Sequence, residues 1–256
     1  MKCVELFVLL LINWPNQLPV SGECQITTKN VTIENTHNKD KTMKIQKILP
    51  GFSNPPLELV AESLNLEIEP LQLEMANWIE YPYKPDVSVR IAYNENELFL
   101  RYQVKEQSVK ADVAKNNGRV WTDSCVEFFV SPEGNDEYYN LEMNCIGTIL
   151  LAYRGEGKEA VYGTEEQIAT IRRISTLGTT PFAERKEPTE WEITVAIPWE
   201  LFFGHKLKPE RGTKMRCNFY KCGDELSVPH FVSWTKISTE KPSFHQPKFF
   251  GGIEFE

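Results

Sequence analysis

Alternating apolar and polar positions dominate the chain from about residue 57 onward, and this pattern predicts β-strands. In residues 97–104, Leu98, Leu100 and Tyr102 share one side of an extended chain. Residues 87–92 alternate in the same way, and turn-forming residues between the two runs predict a hairpin. Further strands are predicted at residues 124–130, 138–144, 148–153, 191–197, 215–222 and 231–237.

Short strands separated by turns, with almost no helical period, are typical of an all-β, antiparallel β-sandwich of the immunoglobulin or jelly-roll kind. We expect this sandwich to occupy residues 61–256. Residues 23–60 are polar and irregular, which predicts an N-terminal extension with a strand or two. Residues 163–188 are assigned to long surface loops, and residues 198–202 to one short helical turn.

The N-terminal residues 1–22 have the layout of a secretory signal peptide. Lys2 provides a positive start, residues 6–12 are apolar, and small residues precede a cleavage site after Gly22. The apolar run is too short to span a bilayer. We therefore expect a secreted, periplasmic or cell-surface protein.

Composition and charge narrow the choice of partners. The 256 residues are 41% hydrophobic and 25% charged, as in an ordinary globular protein, and the formal net charge is −8. An acidic chain without a basic stripe is a poor ligand for nucleic acid or for an anionic membrane surface. The six cysteines include no CxxC pair, so no local zinc or redox motif is present.

Three predicted strands carry hydrogen-bonding groups on the face opposite the predicted core. In residues 124–130, for example, Val126 and Phe128 face the core while Glu127 faces away from it. A solvated outer face is the ordinary interpretation of such a pattern. Asn, Glu and Tyr at this density instead favour a polar binding surface. The groups that share this face are Cys125 and Glu127, then Asn140, Glu142 and Asn144, then Asn218, Tyr220 and Cys222.

Sugar recognition combines fixed polar partners for hydroxyl groups with flat rings for the C–H faces of a pyranose. Trp121 lies at a loop-to-strand junction and Phe244 in a proline-bounded loop where burial is not expected, so both rings are candidates. Trp234 is a third candidate that could equally belong to the core, and His245 is a candidate for a hydrogen bond at the rim. Three further tryptophans are assigned to the core or its edges: Trp78, Trp191 and Trp199.

Five segments occur in order along the chain: VWTDSCVEFFVSP, YYNLEMNCIGT, WEITVAIPW, NFYKCGDE and SWTKISTEKPSFHQPKFFGGIEF. Together they resemble the family 9 carbohydrate-binding modules, most closely the family-9-like proteins of polysaccharide-degrading bacteria. The resemblance runs from about residue 75 to residue 256. It implies a β-sandwich that binds sugars, often at chain ends. Such modules usually accompany glycoside hydrolases and often carry structural calcium.

The resemblance also implies roles for single residues. Trp121 matches the family's first sugar-stacking tryptophan, Glu127 matches its ligand-binding glutamate, and Phe244 falls where the family has its second stacking tryptophan. At three further positions this chain departs from residues that the family can have: Asn140 for Arg, Glu142 for Asn and Tyr220 for Gln. These departures change the hydrogen-bonding groups, so the preferred sugar cannot be transferred from the family.

The predicted function is therefore non-catalytic binding of an oligo- or polysaccharide, accessory to glycan degradation. Two alternatives remain open. A glycoside hydrolase or lyase could use Glu127 and Glu142, because two carboxyl groups are the minimum for glycoside hydrolysis. A haem-binding sandwich would need axial His or Met ligands, of which no obvious pair exists. The acidic residues 133–137 could also hold calcium through oxygen ligands.

Overall fold

The computed structural model describes residues 42–256; the predicted signal peptide, Cys3, Cys24 and His37 lie outside them. The strands are β1 (Thr42–Lys47), β2 (Leu71–Gln72), β3 (Met75–Ala76), β4 (Asp86–Tyr93), β5 (Glu97–Glu106), β6 (Val109–Ala111), β7 (Cys125–Ser131), β8 (Tyr138–Asn144), β9 (Ile149–Arg154), β10 (Val161–Tyr162), β11 (Arg172–Ser175), β12 (Phe182–Arg185), β13 (Thr189–Pro198), β14 (Lys214–Cys222), β15 (Phe231–Ser233) and β16 (Gly251–Phe255). The helices are α1 (Leu57–Glu67) and α2 (Glu165–Thr170), with 3₁₀ turns at Val120–Thr122, Trp199–Leu201 and Pro247–Phe249. Within this part of the chain, no helix has the length and apolar character needed to cross a membrane.

Two sheets that share β1 form a sandwich. The first sheet has the order β10-β9-β8-β7-β14-β16-β1, with β15 and β3 continuing from β14. The second has the order β1-β4-β5-β13-β11, with β2 beside β4. The start of β1 pairs in parallel with β16 and its end pairs in parallel with β4. The other strand pairs of residues 42–256 are antiparallel, as the sequence predicts.

The main core lies between the sheets and is built from alternate residues of the long strands. Val126 and Phe128 of β7 and Leu98 and Leu100 of β5 all point into it. The predicted facing of these strands is therefore confirmed. Complete burial of such a side chain contributes about 1.5–3 kcal/mol, so a one-residue shift of register, which would exchange the two faces, is strongly disfavoured.

The predicted hairpin and the predicted short helical turn are both present. β4 and β5 pair along their length, and the Asn94 Oδ1 atom accepts hydrogen bonds from the backbone N–H groups of Asn96 and Glu97. The 3₁₀ turn at Trp199–Leu201 follows Pro198. Asn at the start of a tight turn and Pro before a helical turn are local signals, so the sequence predicts both features well.

Residues 42–60, which the sequence assigns to an irregular extension, contain β1 and the start of α1. Because β1 pairs with both sheets, the described part of this segment belongs to the sandwich. Its polarity has a simple cause. Of the six residues of β1 only Ile45 is buried, while Lys44 and Lys47 form ion pairs at the surface.

Helix α1 contradicts the strand pattern that the sequence predicts from about residue 57. Leu57, Val60 and Leu64 have helical spacing, and this stripe packs on the outer face of the second sheet against Phe99. The helix has only eleven residues, so its helical spacing of apolar positions is hard to distinguish from the alternating pattern of the strands that follow it.

Residues 163–188 also contain more regular structure than the predicted loops. Helix α2 begins with a capping box, in which the Thr164 hydroxyl and the Gln167 side chain each accept a hydrogen bond from the other residue's backbone N–H. β11 then pairs with β13 at the edge of the second sheet. The capping signal is only one turn long, and the strands on either side of Pro181 have few apolar residues.

Candidate functional site

The outer face of the first sheet is covered by protein, so its row of polar groups is not a solvated surface. The cover consists of residues 78–81, the turn Val120–Thr122 and the loop of residues 234–250. Trp78 belongs to it, and its ring lies 6.1 Å from that of Phe244. Trp78 is buried, as the sequence predicts.

A cavity of about 240 Å³ remains between this cover and the sheet. The rings of Trp121 and Phe244 and the carboxyl groups of Glu127 and Glu142 all line it. The structure thus brings together two aromatic surfaces and two hydrogen-bonding groups from elements far apart in sequence. The complete lining is Trp121, Glu127, Glu142, Arg154, Cys222, Asp224, Phe231, Pro242, Ser243, Phe244 and His245.

Glu127 and Glu142 form the polar centre of the cavity. They lie directly opposite each other on β7 and β8, and each is only 3% exposed. Burial, followed by the proximity of Glu142, raises the pKa of Glu127 well above its usual range. Burial raises the pKa of Glu142 to about 7. The pair therefore retains a proton near neutral pH, and it can both donate a hydrogen bond to a ligand hydroxyl and accept one from it.

Asn140 does not line the cavity but fixes two groups that do. Its Nδ2 atom donates to Glu142 Oε1 over 2.8 Å, and its Oδ1 atom accepts from Arg154 Nε over 2.8 Å. Asn140 itself is completely buried. The sequence predicts a direct ligand contact for Asn140; in the structure its side chain lies outside the cavity lining, hydrogen-bonded to Glu142 and Arg154.

Tyr220 likewise lies behind the wall of the cavity. Its ring stacks on Phe244 with centroids 4.2 Å apart and planes inclined by 14°, and its hydroxyl donates to the Phe244 carbonyl over 3.2 Å. Tyr220 therefore holds Phe244 in place rather than lining the cavity. This stacking also explains why Phe244 is only 8% exposed, although its loop position predicts exposure.

His245 lines the cavity and is exposed, which places it at the rim; its hydrogen bond to a ligand stays a prediction. Its Nδ1 atom is 3.0 Å from the Tyr138 hydroxyl, and its ring stacks on Phe129 with centroids 5.1 Å apart. Although His245 is exposed as a residue, desolvation of its ring where it packs on Phe129, followed by the nearby Arg154 charge, lowers its pKa to about 4. The imidazole is therefore neutral at physiological pH.

Sequence reasoning missed several lining residues, of which Arg154 and Asp224 carry charge. Arg154 follows Ala152 by two positions on β9 and so faces the same side of the sheet. The sequence predicts this strand only as far as residue 153. A strand that included residue 154 would have placed the Arg154 guanidinium on the face that carries the site. Asp224 follows β14 in a turn, where strand parity gives no guidance, and burial raises its pKa to about 6.

A second groove of about 560 Å³ adjoins the cavity and shares Arg154 and His245 with it. Lys158 and Lys248 lie along the groove, as does Tyr138. The groove therefore adjoins the cavity at the end of the first sheet where β8 begins and β9 ends.

Trp234 is a core residue and not part of the site. It is 1% exposed, and its ring lies 5.7 Å from that of Phe219 between the sheets. Trp191 and Trp199 are also buried in this core, which confirms their assignment.

The acidic residues 133–137 do not fit a calcium ion. The carboxylate of Glu137 accepts a hydrogen bond from the Tyr153 hydroxyl over 2.7 Å and forms an ion pair with Lys158. Glu133 extends instead toward His205, with 3.7 Å between the carboxylate and Nε2. These oxygens are directed to different partners and do not converge on one point.

The described histidines do not form a pair of axial haem ligands. His205 is hydrogen-bonded to the Tyr139 hydroxyl over 2.9 Å, and His230 Nε2 lies 2.7 Å from Lys221 Nζ. Each of these imidazoles is thus fixed by its own partner and in a different part of the fold.

Solved structures share this fold. A protein from Bacteroides uniformis ATCC 8492, assigned to carbohydrate binding, is 43% identical; the match covers 84% of this chain and 99% of that chain, with a TM-score of 0.80. A family 9 module from Caldicellulosiruptor kristjanssonii, in complex with cellotriose, is 12% identical over 84% of this chain and 94% of its own, with a TM-score of 0.53. The same organism's family 9 module in complex with glucose has 12% identity, coverage of 84% and 96%, and a TM-score of 0.50. At 12% identity these two likenesses concern the fold alone.

Sequence comparison agrees with the fold. None of the curated protein sequences is significantly similar to this chain. The profile of carbohydrate-binding family 9, in contrast, matches residues 59–255, which is most of the chain. This family consists of non-catalytic modules that bind carbohydrate. The chain belongs to carbohydrate-binding family 9.

Proposed function

We propose that the cavity between Trp121 and Phe244 binds a pyranose unit of an oligo- or polysaccharide without altering it chemically. The convergence of two rings and two carboxyl groups on one cavity carries this proposal. Trp121 provides an apolar surface for a C–H face of the sugar, and Phe244 provides a second one, supported from behind by Tyr220. Glu127 and Glu142 exchange hydrogen bonds with the hydroxyl groups.

The size of the cavity supports recognition of a chain end. A volume of about 240 Å³ lies just below the range of about 300–1,000 Å³ that is usual for small-molecule pockets, so it suits a single ring. The adjoining groove then accommodates the following sugar units past Arg154 and His245.

Ligands of other family 9 modules provide the first sugars to test. Family 9 modules of Caldicellulosiruptor kristjanssonii form complexes with cellotriose and with glucose. Glucose-based oligosaccharides are therefore the first ligands to test. Of the three positions that depart from the family's residues, Glu142 lines this cavity, and its carboxyl group makes a different stereochemical preference a reasonable second choice.

The biological setting that we propose is outside the cytoplasm, beside glycoside hydrolases whose substrates this protein binds. The predicted signal peptide of residues 1–22 supports export. Fractionation of the native host, followed by detection of the mature N-terminus, tests this part of the proposal.

Calorimetric titration with glucose, cello-oligosaccharides and a panel of other glycans tests the function. We expect saturable binding to at least one short oligosaccharide and an unchanged ligand at the end of the titration. Comparison of that oligosaccharide with its polymer separates recognition of ends from recognition of internal units. Failure to bind any glycan contradicts the proposal. Turnover that is lost in Glu127→Gln supports the hydrolase or lyase alternative instead.

A further inference from the structure

Two thiols and a carboxyl group converge at the inner wall of the cavity. Cys125 and Cys222 lie directly opposite each other on β7 and β14, and Glu127 follows Cys125 by two residues on the same face. One ligand atom from each of the three residues lies within 4.8 Å of the others. The Cys222 thiol donates a hydrogen bond to Glu127 Oε1 over 3.1 Å.

The Cys222–Glu127 contact of 3.1 Å and the upper bound of 4.8 Å bracket the ligand spacing of a tetrahedral metal site. Zinc binds sulfur at about 2.3 Å and carboxylate oxygen at about 2.0–2.2 Å, so its ligand atoms lie about 3.6–3.8 Å apart. Small side-chain rotations therefore bring all three groups into the first coordination sphere. Both cysteines are free thiols, and each is at most 1% exposed.

A second observation also points to a ligand in this region. The Glu142 Oε2 atom is buried without a hydrogen-bond partner, and Glu142 lines the same cavity as Cys222 and Glu127. An unpartnered buried carboxyl oxygen costs free energy unless something else satisfies it. A metal-bound water in the cavity can donate that missing hydrogen bond.

We propose that Cys125, Cys222 and Glu127 form a binding site for Zn²⁺ or a similar thiophilic divalent cation. Three protein ligands leave one coordination position free, and that position faces the cavity that Cys222 and Glu127 line. The site uses two strands that lie far apart in sequence, so the absence of a CxxC motif does not argue against it.

Metal binding at this site must displace two thiol protons. Burial raises the pKa of Cys125 to about 12 and that of Cys222 well above its usual range, so both thiols are protonated in the metal-free protein. The balanced step is Zn²⁺ plus two thiols giving a zinc dithiolate and two released protons, while the proton held by the Glu127–Glu142 pair passes to Glu142 so that Glu127 binds as a carboxylate, with no change of oxidation state. The metal is therefore bound more tightly as the pH rises.

The metal site goes beyond sugar binding and is tested independently of it. The full chain, reduced and freed of metal by a chelator, is titrated with Co²⁺ in the absence of sugar. We expect one equivalent to produce the sulfur-to-cobalt charge-transfer absorption and the visible bands of tetrahedral Co²⁺, and one equivalent of Zn²⁺ to abolish them. Because sugar is absent from this titration, a protein that binds no metal can still bind sugar as proposed. A protein that binds no sugar can likewise still bind the metal.

Matched variants assign the ligands. Cys125→Ser and Cys222→Ser should each abolish the charge-transfer band, and Glu127→Gln should weaken it while keeping both thiols. Cys217→Ala, which changes a buried cysteine facing the opposite core, and Cys3→Ser/Cys24→Ser should leave the spectrum unchanged. Circular dichroism checks that each variant folds. The proposal is overturned if the folded, reduced protein shows no thiolate–cobalt band, or if the band survives in Cys125→Ser/Cys222→Ser.

Discussion

Replacing Lys221 with methionine will lower the free energy of unfolding by about 3–5 kcal/mol, the cost of breaking a buried ion pair by removing one partner. Lys221 is completely buried, and its Nζ atom lies 2.8 Å from Glu106 Oε2. The ammonium group also lies 2.7 Å from His230 Nε2 and donates to the Cys222 carbonyl over 2.9 Å. Burial and the Lys221 charge lower the pKa of His230 to about 2, so the ring is neutral and can accept this hydrogen bond. Equilibrium denaturation in urea measures the loss.

Lys105→Met is the matched control, because Lys105 forms an exposed ion pair with Glu190 over 3.0 Å. Such a pair contributes at most about 1 kcal/mol. The double variant Lys221→Met/Glu106→Gln should regain part of the lost stability, since it removes the uncompensated buried carboxylate. A loss below about 1 kcal/mol in Lys221→Met would show that the buried network is not important for stability.

Replacing Trp121 with alanine will weaken sugar binding without unfolding the sandwich. The loss of one stacking ring is expected to cost about 1–3 kcal/mol, which corresponds to a decrease in affinity of about 5- to 150-fold. Trp121 is only partly buried and lies on a 3₁₀ turn outside the main core, so little packing is lost. Calorimetric titration with the ligand identified for the native protein gives the ratio of dissociation constants.

Trp199→Phe separates the effect on binding from a general effect of losing an indole. Trp199 is buried in the main core and donates from Nε1 to the Asn94 carbonyl over 3.1 Å. We expect this variant to be less stable but to bind sugar with unchanged affinity. If both variants lose affinity equally, the effect arises from folding; if Trp121→Ala binds normally, Trp121 is not a ligand contact.

Strand parity predicted the layer of the fold in which the site lies. A period of two determines which side chains face the core, so Glu127 and Glu142 could be assigned to the outer face of their strands from local sequence alone. The ordered motifs around Trp121 and Phe244 indicated which loops approach that face. Both kinds of information are local, and the structure places the two carboxyl groups and the two loops around the same cavity.

Parity could not reveal what covers that face. The loop of residues 234–250 folds back over the sheet, and its position depends on contacts with residues far away in sequence. Asn140 and Tyr220 point outward as predicted, yet the cover leaves them behind the wall of the cavity as supports. The pairing of β1 with both sheets is equally non-local, which explains why the sequence predicts a strand in this segment but not its place in the sandwich.

The central claim is that sugar binds between Trp121 and Phe244 on the outer face of the first sheet. A crystal structure of the complex with a short oligosaccharide tests it most directly. We predict one pyranose ring in the cavity, stacked on Trp121 and within hydrogen-bonding distance of the Glu127 or Glu142 carboxyl group, with further units extending toward Arg154. A sugar bound on the second sheet, or elsewhere away from these residues, would contradict the account.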